Sequence, residues 1–144
     1  MNLWFVGFVL ALGIVVRAVV DNGLSGAMGH LAPHGAGLGS LLLLAVIAAL
    51  LANLVNNLPA VLVMLPLVAP AGPVAVLAVL IGVNIGPNLT YVGSLATLLW
   101  RRIVADHDHD TEVAEFTKLG LKTVPASLVL CTVALWAAAR VMGV

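Results

Sequence analysis

Between Asn22 and Trp100 the chain contains no aspartate, glutamate, lysine or arginine. A stretch that long without a charge cannot present a soluble surface, and it fixes the solvent before it fixes the fold. Over the whole chain 62% of residues are hydrophobic and 8% charged, with a mean hydropathy of +1.19, against about 25% charged in an ordinary soluble domain. The apolar residues come in continuous runs, such as residues 41–51, rather than in the two-residue alternation of a membrane barrel. Helices that satisfy their own backbone groups are therefore the expected spans, and the fold class is an all-α integral membrane protein. Six basic and six acidic residues balance, leaving no basic field for nucleic acid. The single cysteine, Cys131, excludes an internal disulfide. The spans carry no nucleophile beside a base, no carboxylate pair and no cluster of metal ligands, so neither enzymatic chemistry nor a cofactor is expected.

One membrane domain covering residues 1–144 is expected, built from six segments. Residues 3–20 read as a retained transmembrane helix with Trp4 and Arg17 near its ends. Residues 21–39, with six glycines, Pro33, His30 and His34, read as an interfacial connector. Residues 40–69 hold two apolar runs of about 14 and 10 residues, which at about 1.5 Å per residue are each too short for a full span. They read as a re-entrant helical hairpin with its tip at 56–59. Residues 74–104 read as a discontinuous transmembrane helix whose break, at 86–93, contains a proline and two glycines. Residues 105–117 form a polar loop, and residues 118–142 a last transmembrane helix. Arg101, Arg102, Lys118 and Lys122 flank that loop, which places it in the cytoplasm by the bias of basic residues and makes this a multi-pass protein of the inner (plasma) membrane.

A hairpin that turns back and a helix interrupted by glycine and proline are the sequence pointer to a transporter's binding site, because the two interruptions can meet near the bilayer midplane. Pro59 suits the first turn of the hairpin's second arm and Ser94 suits the N-cap of the resumed helix. Asn53, Asn56, Asn57, Asn84, Asn88, Thr90, Ser94 and Thr97 supply uncharged amides and hydroxyls for a small polar or anionic solute. The expected substrate-binding set is Asn56, Asn57, Pro59, Asn84, Gly86, Pro87, Asn88, Thr90, Gly93, Ser94 and Thr97. His30 and His34, four apart, have metal-like spacing, but Pro33 argues against the helix they would need. The Asp106-His107-Asp108-His109-Asp110 run reads as a solvated loop.

The runs Val55-Asn56-Asn57-Leu58-Pro59-Ala60-Val61-Leu62 and Gly86-Pro87-Asn88-Leu89-Thr90-Tyr91-Val92-Gly93-Ser94-Leu95-Ala96-Thr97-Leu98-Leu99-Trp100 closely resemble the two signature stretches in the C-terminal part of bacterial arsenite efflux permeases. These belong to the ion transporter superfamily. The resemblance covers essentially the whole chain in order, and implies the second of two inverted repeats, each with a re-entrant hairpin and a broken helix. It further implies export of arsenite and antimonite, and hence arsenical resistance, driven by the proton motive force or by a cytoplasmic ATPase subunit. By similarity the Asn56-Asn57 tip and the break from Gly86 to Thr97 are this repeat's share of the substrate site. Family members are much longer, so a complete pathway needs an N-terminal repeat or a second chain. Many of them also carry an acidic residue where this sequence has Asn84, a lysine where it has Asn88 and a proline where it has Tyr91. The other readings are a related carrier of the dicarboxylate or sodium/proton antiporter type, and a non-transporting membrane subunit or truncated permease.

Overall fold

A computed structural model describes residues 37–90, 93–105 and 113–143, with isolated positions 7, 10, 11, 14, 18 and 22. The expected first span is covered only by isolated positions, and of the connector up to residue 36 only Asn22 is described, His30 and His34 lying outside the described residues. So do Tyr91 and the loop from 106 to 112. The described residues are helical without strands: α1 (Leu38–Val55), α2 (Asn57–Val68), a 3-10 turn (Ala69–Ala71), α3 (Pro73–Ile85), a second 3-10 turn (Gly86–Leu89), α4 (Leu95–Ala105) and α5 (Val113–Met142).

Over most of α1 the faces differ by size rather than by polarity, with Leu41 and Leu44 near its start buried as well. Leu43, Val46, Leu50 and Leu54 point outward, while Ala45, Ala48, Ala49 and Ala52 are buried. This is the pattern expected where lipid solvates large aliphatic groups and helices associate through small residues that let backbones approach. The partner of that alanine face is α3. A Cβ on Gly82 would strike the Ala45 carbonyl and come within 2.7 Å of the Ala48 methyl, and a Cβ on Gly86 would meet Ala49. Residue numbers rise together along this contact, so α1 and α3 run parallel. Because α2 returns antiparallel between them in sequence, the tip after α1 and the break after α3 lie at the same end.

The chain reverses between α2 and α3 at Gly72, whose φ of +98° is open to glycine, and Pro73 then starts α3. The helix α5 packs back across both: Gly120 lies against the Asn88 carbonyl, Val124 and Leu128 cluster with Ala45 and Ala49, and Ala139 joins the core around Val74 and Ala75. It is therefore antiparallel to α3.

Three boundaries differ from the sequence expectation. Helix α1 is 18 residues rather than about 14, because Leu38 and Gly39 at its start and Leu54 and Val55 at its end are also helical. At about 1.5 Å per residue it is about 27 Å long, so the first arm is not too short to cross, whereas α2, with 12 residues, is. Among the described residues α1 and α5 are the helices long and apolar enough for a bilayer. The last helix starts at Val113 instead of 118, with Glu115 in its first turn, where a carboxylate is favoured by the helix dipole. The break is shorter in its irregular part than expected: 86–89 remain coiled as a 3-10 turn, and the extended backbone begins at Thr90.

Candidate functional site

The two interruptions are joined by one side chain. Asn53, one turn before the tip, donates from Nδ2 to the carbonyl of Ala49 at 2.8 Å and to that of Gly86 at 2.8 Å. Its Oδ1 accepts from the Thr90 hydroxyl at 2.8 Å. The Gly86 carbonyl stands where the α-helical ladder of α3 gives way to the 3-10 turn, and Asn53 supplies its spare lone pair with a partner from another helix. Gly93 closes the other side: a Cβ there would lie 2.7 Å from the Pro87 Cα and 2.9 Å from Asn53 Oδ1. The break thus meets α1 one turn short of the tip, and Asn53 and Thr90 are turned toward each other rather than toward a solute.

At the tip, Asn56 links α1 to α2 with φ +81° and ψ 157°, a backbone region open almost only to glycine and costing on the order of 1–3 kcal/mol. Asn57 opens α2, and its Oδ1 accepts the Leu58 backbone N–H at 3.0 Å. Pro59 is buried in the first turn, where its missing N–H leaves no ladder bond unmade. Across the break, Ser94 caps α4 as expected, its Oγ accepting the Ala96 N–H at 3.0 Å.

Asn84 and Asn88 are exposed on one stripe of α3 and the turn that follows. Their amide NH2 groups fold back on the helix: Asn84 Nδ2 donates to the Leu80 carbonyl at 2.8 Å and Asn88 Nδ2 to that of Ile85 at 3.1 Å. Each amide still offers an oxygen that accepts, and Asn84, which spends one of its two N–H groups on the Leu80 carbonyl, also keeps an N–H to donate. Such a stripe can pair with a small polar solute through either kind of hydrogen bond.

Beside Asn88 opens a cavity of about 280 Å³ lined by Asn88, Ala96, Thr97, Trp100 and Phe116. Trp100 and Phe116 form its apolar wall, with ring centroids 6.5 Å apart and planes at 34°. Of the expected site residues, Asn88 and Thr97 share this cavity. Gly86, Pro87 and Gly93 shape the backbone beneath it, Pro87 being buried, and Ser94 holds the start of α4. Phe116 was invisible to motif reading, because it belongs to α5, beyond the polar loop, and only the fold brings it to Trp100. The described residues hold no group of three His, Cys, Asp or Glu that could bind a metal. A second cavity of about 270 Å³, between α1 and α5, is lined by aliphatic residues from Leu42 to Val129.

Parallel small-residue packing and outward aliphatic faces are the pattern of a helical membrane protein. The profile of the arsenical pump membrane protein family matches residues 2–138, and the chain belongs to that family. It is 28% identical over 143 residues to an uncharacterized transporter of Mycobacterium bovis and equally to one of Mycobacterium tuberculosis, covering 93% of this chain. The chain spans 33% of the length of each of these relatives. No solved structure matches it.

Proposed function

We propose that this chain forms the substrate-binding part of a secondary carrier that exports arsenite and antimonite from the cytoplasm. The observation that carries this reading is the exposed, uncharged amide stripe of Asn84 and Asn88 at the break, of which Asn88 lines the cavity shared with Thr97. Trivalent arsenic in neutral water is an uncharged trihydroxy species, so it offers O–H donors and no negative charge. Amide oxygens and the Thr97 hydroxyl match such a solute, and the apolar wall of Trp100 and Phe116 costs an uncharged solute little desolvation.

In this reading the α1–α2 pair is a re-entrant hairpin, and it moves with the α3–α4 break in alternating access against the remaining helices. The chain is one repeat of a longer pathway in the inner membrane, its counterpart an N-terminal repeat or a second chain. Coupling to the proton motive force or to a cytoplasmic ATPase enters through that larger assembly. The test is arsenite accumulation in cells lacking their own efflux, expressing the chain at verified membrane abundance, alone and with an N-terminal repeat. Lower accumulation, abolished by Asn57→Leu or Asn88→Leu at unchanged abundance, supports the carrier; accumulation indifferent to both substitutions points to a non-transporting subunit and refutes it. Amide oxygens also ligate monovalent cations, so sodium-dependent flux indifferent to arsenite would favour a cation-coupled carrier instead.

A further inference from the structure

We infer that Asn53 is a positioning residue that fastens the hairpin tip to the helix break and thereby sets the geometry of the Asn88–Thr97 cavity, an inference that rests on the carrier reading above. Three facts carry it. The Asn53 amide bonds both helices at once, through the carbonyls of Ala49 and Gly86 at 2.8 Å each. Its oxygen holds the Thr90 hydroxyl at 2.8 Å, which fixes the first extended residue after the 3-10 turn. Gly93 then packs directly on this oxygen and on Pro87, and Ser94 and α4 follow from there. The position of α4, and with it Thr97 and Trp100, is thus referred back to α1 through one amide.

The same contacts make the two interruptions a single mechanical unit. A hairpin moving without the break would have to release the Gly86 carbonyl and the Thr90 hydroxyl into an environment with no water to replace Asn53. Asn53 touches the break and not the cavity, so it acts on substrate only through the residues it holds. A merely structural amide would affect abundance and stability, whereas a positioning one alters the affinity for cargo and the local order of the break.

The experiment uses the 144-residue chain in lipid nanodiscs, followed by amide hydrogen exchange, with arsenite efflux measured in parallel. The reporter is the Gly93 amide, which bonds the Thr90 carbonyl at 3.3 Å. Thr90→Val, nearly isosteric, and Asn53→Leu should each speed exchange at Gly93 by about three- to tenfold, the range expected for losing interhelical hydrogen bonds in a bilayer. Amides at the α1–α3 crossing, residues 44–49 and 78–83, should stay protected, and Thr90→Ser, which keeps the hydroxyl, should restore slow exchange. In efflux, Thr90→Val should raise KM by more than it lowers kcat. Unchanged exchange at Gly93 in both variants overturns the inference, as does faster exchange with an unaltered KM. Should the unsubstituted chain move no arsenite even when an N-terminal repeat is supplied, the carrier reading falls, and the exchange comparison by itself decides whether Asn53 ties the tip to the break.

Discussion

Gly82→Ala is the substitution whose outcome tests the fold most sharply, because two effects of opposite sign compete. In a helix interior alanine is favoured over glycine by about 0.8–1.0 kcal/mol. Against that, the new Cβ would sit 2.7 Å from the Ala48 methyl and closer still to the Ala45 carbonyl, where carbon atoms prefer about 3.5–4.0 Å. The helices α1 and α3 must part by about 1 Å, since what lies opposite is backbone and cannot rotate away. One turn further on, that displacement stretches the Asn53 to Gly86 bond from 2.8 Å to about 3.8 Å, beyond hydrogen-bonding range. Overpacking of about 1–3 kcal/mol and loss of an interhelical bond averaging about 0.6 kcal/mol together outweigh the propensity gain throughout their range. The expected net loss is about 0.6–2.8 kcal/mol, measured by reversible unfolding in mixed micelles of mild and denaturing detergent. Ala48→Gly on the Gly82→Ala background should rescue less than half, because the Ala45 carbonyl remains. Gly39→Ala, at an exposed helical position with nothing within 4 Å, should stabilise by up to about 1 kcal/mol and serves as the control. A Gly82→Ala chain as stable as the control would refute the close parallel crossing.

Asn56→Gly should dissociate stability from transport: relief of the φ +81° backbone raises stability by up to about 1–2 kcal/mol in the same unfolding assay, while loss of the tip amide lowers arsenite efflux. A gain in both would mean that the side chain has no share in the site. Ser94→Ala removes the cap on Ala96 and should destabilise by about 1 kcal/mol, with faster exchange confined to the first turn of α4; a loss spread over α5 would contradict a local cap.

Much of this architecture is legible in the residues because lipid leaves few options. The absence of charge from Asn22 to Trp100 forces helices, Gly86-Pro87 forces a break, and Ser94 is a cap by its chemistry alone. The extent of α1 was not legible: Leu38-Gly39 reads as the tail of a glycine-rich connector, yet glycine is common in membrane helices, where an interrupted backbone would find no water. The roles of the amides were only half legible. That Asn84 bonds the carbonyl four residues back is local and could have been anticipated from the cost of an unsatisfied NH2 group in an apolar setting. That Asn53 bonds Gly86, 33 residues away, follows only from the parallel pairing of α1 with α3. Nothing local to either segment specifies that pairing, since alanine and glycine in an apolar run also fit simple filling. Trp100 beside Phe116 is likewise a product of how α5 returns.

Fold and site are continuous along one row of residues. On α1 the row runs Ala45, Ala49, Asn53, and on α3 and its extension Gly82, Gly86, Thr90, each step being four residues. Ala45 faces Gly82 and Ala49 faces Gly86, and the next step places Asn53 on both Gly86 and Thr90. The first two steps contain only side chains small enough to bring the backbones together; the third exploits that closeness. Asparagine is one of the shortest amides, and it can reach a carbonyl on the neighbouring helix at 2.8 Å while bonding its own helix only because glycine has removed the intervening methyl. The packing stripe and the polar tie are therefore not separable features. A helix pair held apart by larger residues would leave Asn53 with its own helix alone, the Gly86 carbonyl without this partner, and the break without a fixed shape.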